Sequence, residues 1–209
     1  CAINWAAMSS RPLESKPQEL RPAHMHGDRK TDSAAVTGRS CEEAPMILVV
    51  MGVSGCGKST VGQLLAQRLG WSFKEGDELH PAVNVAKMHS GTPLTDADRW
   101  PWLQKIAEQM DAWRNTGRSG LITCSALAGR YRDFLRAGRP EVHFLYLKGE
   151  KSLIAQRLTA RTGHFMPPGL LDSQFVALEP PTSEEPVIEA DIAVPLQEMV
   201  QQIERRLRL

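Results

Sequence analysis

The stretch MILVVMGVSGCGKST, Met46 to Thr60, decides how the rest of the chain is read. An apolar run, Met46 to Val50, leads into a glycine-rich turn, and Lys58-Ser59-Thr60 then opens a helix, the context in which the spacing GxxxxGK(S/T) has physical meaning. The pattern falls on Gly52, Gly57, Lys58 and Ser59. Glycines let successive backbone N–H groups face inward as an anion nest, and the helix N-terminus adds partial positive charge. On this reading Gly52, Val53, Ser54, Gly55, Cys56, Gly57, Lys58, Ser59 and Thr60 cradle the phosphates of ATP. Lys58 reaches the β- and γ-phosphates, and the Ser59 hydroxyl ligates Mg²⁺.

Working outward, Val61, Leu64, Leu65 and Leu69 recur at helical spacing and Gly70 supplies the stop. Trp71 to Lys74 reads as a second strand followed by Glu75-Gly76-Asp77, which sets carboxylates at the strand's carboxyl end, where open α/β sheets bind ligands. Pro81 to His89 reads as a short helix. Thr95-Asp96-Ala97-Asp98 forms a capping-box start for a helix carrying Trp102, Leu103, Ile106, Met110 and Trp113, with Trp100 and Trp102 read as core. Leu121 to Cys124 is a third strand ending at Ser125, Arg130 to Ala137 a helix, and Val142 to Leu147 a strand buried on both faces. Glu150 to Arg161 is helical, Thr162 to Gly169 a loop, Leu170 to Leu178 helical and Glu179 to Pro186 a proline-rich connection. Val187 to Ile192 is the fifth strand, and Leu196 to Leu207 a closing helix. Strands alternating with helices predict an α/β protein of the P-loop NTPase fold: a five-stranded parallel sheet, right-handed crossovers, helices on both faces and a lid.

Composition bounds the rest. At 209 residues, 42% hydrophobic and 23% charged, the chain suits one globular domain, residues 46–209, behind an extension, residues 1–45. That extension holds four prolines and six basic against six acidic residues without periodicity, so it reads as disordered and not as a targeting peptide. Its first residue is Cys, not Met, which leaves its native origin open. With 25 basic and 24 acidic residues the net charge is +1, giving no reason to expect nucleic acid, and the apolar run at Met46 to Met51 is far too short for a membrane span. Four cysteines without a CxxC pair read as reduced thiols of a cytoplasmic protein. Cys56 lies beside a helix N-terminus and Lys58, which should lower its pKa, although an inert small loop residue is the favoured reading.

The fold serves switches, motors and transferases, so the site must decide. The chain has neither the DxxG nor the NKxD motif of a GTPase, and strand three ends Thr123-Cys124-Ser125 without the acid usual in motor ATPases. The free carboxylates follow strand two, where an acid can face both Mg²⁺ and an acceptor hydroxyl, as in small-molecule kinases. A kinase must exclude water, and Arg157, Arg161 and His164 flank a Gly- and Pro-containing loop where cations can stabilise the transferring phosphoryl group.

Four collinear segments, GVSGCGKST, GDELHPAVNVAKMHSGTPLTDADRWPWL, CSALAGRYRDFLR and GHFMPPGLLDSQFVALEPP, resemble the gluconate kinases, relatives of shikimate kinase. The resemblance implies transfer of the ATP γ-phosphate to the 6-hydroxyl of D-gluconate, giving 6-phospho-D-gluconate. It implies Asp77 as general base and Arg99 as the cation for the substrate carboxylate or nearby hydroxyls. Ser125, Arg132 and His164 are weaker substrate contacts, and Arg132 is as readily an ion pair with Asp133. His80 either orients the acceptor or shapes its turn. Adenine is expected against the lid region and Glu179 to Pro186. Members of the family often form homodimers, which this sequence leaves open. Two departures stand out: Glu75 where the family usually has Asp, and Ala128 where it has Lys. Rival readings are a kinase for another small acceptor, such as shikimate, and a nucleotide-binding regulator that has lost catalysis.

Overall fold

The structure, a computed structural model, describes residues 44–160 and 168–207. The extension as far as residue 43, Arg161, His164 and most of the loop around them lie outside the described residues. Five strands, β1 (Ile47–Met51), β2 (Ser72–Lys74), β3 (Gly120–Thr123), β4 (Val142–Lys148) and β5 (Val187–Asp191), form one sheet in the order β2-β3-β1-β4-β5. Every pairing is parallel.

β1 shows why the sheet is covered on both sides. All five of its residues are fully buried. Successive side chains point to opposite faces. Leu48 and Val50 enter a core with Val61 and Leu65 of α1 (Lys58–Leu69), Ile154 of α5 (Lys151–Thr159), Leu171 of α6 (Pro168–Ala177) and Met199, Val200 and Ile203 of α7 (Leu196–Leu207). Ile47, Val49 and Met51 enter the other core, with Trp102, Leu103, Ile106 and Met110 of α3 (Asp96–Asn115) and Tyr131 and Leu135 of α4 (Gly129–Arg136). α2 is Ala82–His89. Each buried Leu, Ile or Val contributes roughly 1.5–3 kcal/mol of hydrophobic stabilisation. β1, with both faces covered, is the anchor from which the glycine loop hangs.

The expected capping box is present: the Asp98 N–H donates to Thr95 Oγ1 at 3.3 Å and the Thr95 N–H to Asp98 Oδ2 at 2.9 Å. α6 starts at Pro168, two residues before the predicted Leu170. Proline suits a first helical turn, whose N–H groups have no intrahelical acceptor. α5 ends at Thr159, short of the predicted Arg161. Trp102 is core as expected. Trp100 is not: it is 37% exposed and packs edge-on against Tyr131 and Phe134. The periodicity had a missing element as well, a short 3₁₀ helix at Gly76–Leu79, immediately after β2.

Candidate active site at the carboxyl edge of the sheet

Between β1 and α1 the chain makes the turn that the glycines allow. Gly52 has φ 135°, and a Cβ there would lie 2.9 Å from both Cys56 Sγ and the Leu147 carbonyl oxygen, so only glycine fits. Lys58 is buried and folds back over the loop, donating to the carbonyls of Gly52 at 3.0 Å and Val53 at 3.1 Å. Ser59 is half-buried and Thr60 exposed in the first turn of α1. Cys56 is 1% exposed, and burial pushes its thiol pKa up despite the Lys58 charge. Desolvation outweighs the helix terminus here, so the inert reading of Cys56 holds and a lowered pKa does not.

β3 joins this loop to the carboxylates. The Cys124 N–H donates to the Val50 carbonyl at 3.0 Å and the Gly52 N–H to the Ser125 carbonyl at 3.3 Å. One residue earlier, Thr123 Oγ1 accepts from the Gly76 N–H at 3.0 Å and donates to Glu75 Oε1. The Glu75 carboxylate is thus partly committed to a threonine. Asp77, half-buried in the 3₁₀ turn, has its pKa raised by desolvation. The charges of Asp77 and Lys58 both act on Cys124, whose thiol burial drives up to about 12. Donor loop and carboxylate turn therefore meet at the carboxyl ends of β1 and β3.

Gly76 is the hinge of that meeting. A Cβ on it would lie 1.8 Å from the Thr123 carbonyl oxygen, an impossible approach to rigid backbone. Gly76→Ala is expected to push the turn off β3 and lower kcat by about 10²-fold, the effect of a displacement near 1 Å. Steady-state kinetics alongside a melting curve check this, and wild-type turnover would refute it.

His80 closes the turn. Its ring stacks on Trp102, with centroids 4.2 Å apart and an interplanar angle of 12°, and Trp102 Nε1 donates to the Gly76 carbonyl at 2.7 Å. Buried Asn84 bridges His80 Nδ1 at 3.3 Å and the Asp98 carbonyl at 2.7 Å. An amide N–H can only donate, so Nδ1 accepts and the ring proton sits on Nε2. Burial first, then the Arg99 charge, lowers the His80 pKa to about 4, so the ring is neutral at physiological pH.

Arg99 lies beside this group, 3.5 Å from the Tyr131 hydroxyl, 3.8 Å from Asp96 and 5.9 Å from the Tyr131 ring centroid. Asp96, Arg130 and Tyr131 complete a cluster that sequence reading missed. Arg130 grips Asp96 with two bonds of 3.0 Å and lies 4.9 Å over the Tyr131 ring, whose hydroxyl donates to Asp96 at 2.5 Å. The signal was present in RYRD, but the pairing of residues on α3 and α4 needs the fold. Arg130 is the exposed cation in the first turn of α4, two residues after the buried Ala128.

Arg132 is a correction. It is 2% exposed, and its guanidinium is filled by Glu185 at 2.5 and 3.0 Å and by the carbonyls of Ala126, Leu127 and Glu179 at 3.0–3.2 Å. Buried and bonded through all three of its nitrogens, it is not offered to a substrate, and its ion pair is with Glu185, not Asp133. The same clasp holds residues 179–186. They pack on the loop between β3 and α4, with the Glu179 N–H donating to the Leu127 carbonyl at 2.9 Å and Glu179 Oε2 accepting from the Gly129 N–H at 2.6 Å. Ala126 takes φ 41° in this loop, the left-handed region that an alanine seldom adopts. Ser125 stands half-buried between Cys124 and that strained residue.

A cavity of about 490 Å³ opens on the other side of the loop, lined by Gly55 to Val61, by Arg157, Leu158 and Ala160 at the end of α5, and by Ile192, Val194, Leu196 and Met199. Arg157 is part of this lining and donates to the Ile192 carbonyl at 2.6 Å. Its apolar wall comes from Ile192 and Val194 of the β5–α7 connection and from Leu196 and Met199 of α7.

The sequence profile of the shikimate kinase family matches residues 54–168. The gluconokinase of Gluconobacter oxydans (strain 621H) is 50% identical over 144 residues, which span 69% of this chain and 81% of the relative. The thermoresistant gluconokinase of Escherichia coli (strain K12) is 47% identical over 155 residues, covering 74% of this chain and 89% of the relative. The crystal structure of a gluconokinase from Sinorhizobium meliloti 1021 superposes with a TM-score of 0.69 at 43% identity, covering 79% of this chain and 97% of that one. The profile match spans more than half of the chain and the relatives are covered over most of their length, and the chain belongs to the gluconokinase family, built on the P-loop kinase fold of shikimate kinase.

Proposed function

We propose that the chain transfers the γ-phosphoryl group of ATP to the 6-hydroxyl of D-gluconate. The observation that carries this reading is the Asp77 carboxylate, half-buried one residue beyond the Gly76–Thr123 contact and in electrostatic reach of Cys124, just past β3, as Lys58 also is. The nest fits a triphosphate: glycine at 52 is enforced by the Cys56 and Leu147 contacts, and Lys58 is already held at its floor. On ATP binding Lys58 exchanges its two carbonyl partners for β- and γ-phosphate oxygens. Ser59 supplies the protein oxygen for Mg²⁺, which when bound neutralises charge on those phosphates. Ile192, Val194, Leu196 and Met199 offer the base an apolar wall, and Arg157 closes that end.

On the acceptor side Asp77 takes the proton of the attacking hydroxyl as the oxygen–phosphorus bond forms and ADP departs. Its raised pKa suits the task, because desolvation makes the carboxylate a stronger base. Neutral His80, with its proton on Nε2, donates a hydrogen bond to an acceptor oxygen, and Arg99 binds the gluconate carboxylate. Arg99→Ala is expected to raise KM for gluconate by about 10- to 100-fold with KM for ATP unchanged, the loss of a charged hydrogen bond. An equal rise for both substrates would remove Arg99 from the acceptor site.

Steady-state phosphorylation across a panel of sugar acids and shikimate tests the whole reading. Gluconate is expected to give the highest kcat/KM. No turnover with gluconate, or a clear preference for shikimate, would overturn it.

A further inference from the structure

The glycine loop is hydrogen-bonded from outside by a side chain of a distant element. The Ser54 N–H donates to Gln174 Oε1 at 2.7 Å, across 120 positions of sequence. The backbone that carries Gln174 is well held. Leu171 of α6 is buried in the core beneath α1, and just past the helix Glu179 is bonded to Leu127 and Arg132. The carboxamide is therefore delivered to the loop by a fixed helix.

Ser54 borders the nucleotide cavity without lining it. The lining begins at Gly55, and Ser54 lies on the flank facing α6. A backbone N–H of such a loop is a donor suited to a phosphate oxygen. Here that donor is held by a neutral oxygen on a side chain that also carries two N–H donors on the same rotor. With no anion present, the oxygen end satisfies Ser54. When a terminal phosphate oxygen arrives to accept from Ser54, half a turn of the amide presents its N–H₂ end to the same oxygen. A carboxamide can serve both states, whereas a carboxylate can serve only the first.

We infer that Gln174 is a positioning residue of the donor loop, holding the Ser54 amide aimed in the empty site and donating to the terminal phosphoryl oxygen in the ATP-bound one. The inference rests on the phosphotransfer reading for its catalytic consequence, but its binding consequence can be measured without an acceptor.

The test uses Gln174→Glu and Gln174→Leu in the full chain. Q174E keeps the shape and the acceptor for Ser54 but cannot donate to a phosphate. It is expected to keep the wild-type melting temperature and to bind a non-hydrolysable ATP analogue about 10- to 100-fold more weakly by calorimetry. ADP affinity should change less than about twofold, because the loss of a charged hydrogen bond of that size falls on the terminal phosphate alone. Q174L should lose analogue affinity and melt lower. With gluconate, kcat/KM for ATP should fall in Q174E by the same factor while KM for gluconate stays put. Wild-type analogue affinity in Q174E, or equal weakening of ADP and the analogue, overturns the inference and leaves Gln174 a structural tether. Failure of gluconate turnover in the wild-type chain would strike the functional reading instead, with the analogue measurement unaffected.

Discussion

Asp77→Asn is expected to lower kcat for gluconate phosphorylation by about 10²- to 10⁴-fold, the range for removing a positioned general base, with KM for ATP within about twofold. Asparagine preserves the size of the side chain, so the 3₁₀ turn, the Gly76–Thr123 bond and the His80 stack persist. What disappears is the ability to take a proton. The pH profile gives an independent check. Desolvation raises the Asp77 pKa, so the wild-type acid limb of kcat/KM should fall with a single proton from a higher pH than an ordinary carboxylate would give, and D77N should lose that limb. The stability sign is opposite to the activity sign. A carboxyl with a raised folded-state pKa disfavours folding once pH exceeds its unfolded value, and the penalty is complete above the folded value. At neutral pH D77N should therefore melt at or above the wild-type temperature while being nearly inactive. Near-normal turnover would reject the base assignment.

Arg132→Met is expected to cost about 3–5 kcal/mol of folding stability, the usual result of stranding one partner of a buried ion pair. Against a typical total of about 5–15 kcal/mol, this is a large share. The reason is the number of bonds lost at once: a side chain 2% exposed donates to two carboxylate oxygens and three carbonyls, and methionine can donate to none of them. Urea denaturation measures the loss, and a cost below about 1 kcal/mol would contradict the clasp. Adding Glu185→Leu to Arg132→Met should return part of the loss, since the stranded charge goes with it. The Arg132 hydrogen bond is the first cause of the depressed Glu185 pKa, so this pair stabilises above the ordinary glutamate range, and its contribution fades as pH falls through the depressed value. That acid dependence should flatten in R132M.

The fold was legible in the sequence because its determinants are local. Apolar runs bounded by glycines, one glycine-rich turn and alternation of strand with helix specify a parallel sheet without knowledge of which strands touch. The place of Glu75-Gly76-Asp77 was legible for the same reason, as a turn directly after a short strand. The Arg132 clasp, the Gln174–Ser54 bond and the Asp96–Arg130–Tyr131 cluster were not, since each joins residues more than 30 positions apart whose meeting is decided by packing. Arg132 shows the limit sharply. Beside Asp133 it looks like a surface pair, and only burial shows that its partner is Glu185. Cys56 makes the reverse point: its neighbours predict a lowered pKa, and the missing quantity was exposure. The apolar wall of the cavity beside the glycine loop falls on the β5–α7 connection and the start of α7 because β5 pairs with β4 at the sheet edge, a placement that strand order alone decides.

The position of β1 also has a consequence in time. Ile47 pairs with Gly120 on one side and with Val142 on the other, so the strand that bears the glycine loop is made before either of its neighbours. Until both arrive, a wholly apolar strand has two open edges, and pairing of such high sequence separation is slow to form. The donor loop can take its shape only after residues well past the middle of the chain have been added, and the clasp at Glu185 comes later still. Mutations that delay β3 or β4 should therefore lower the yield of soluble protein more than the activity of the molecules that do fold.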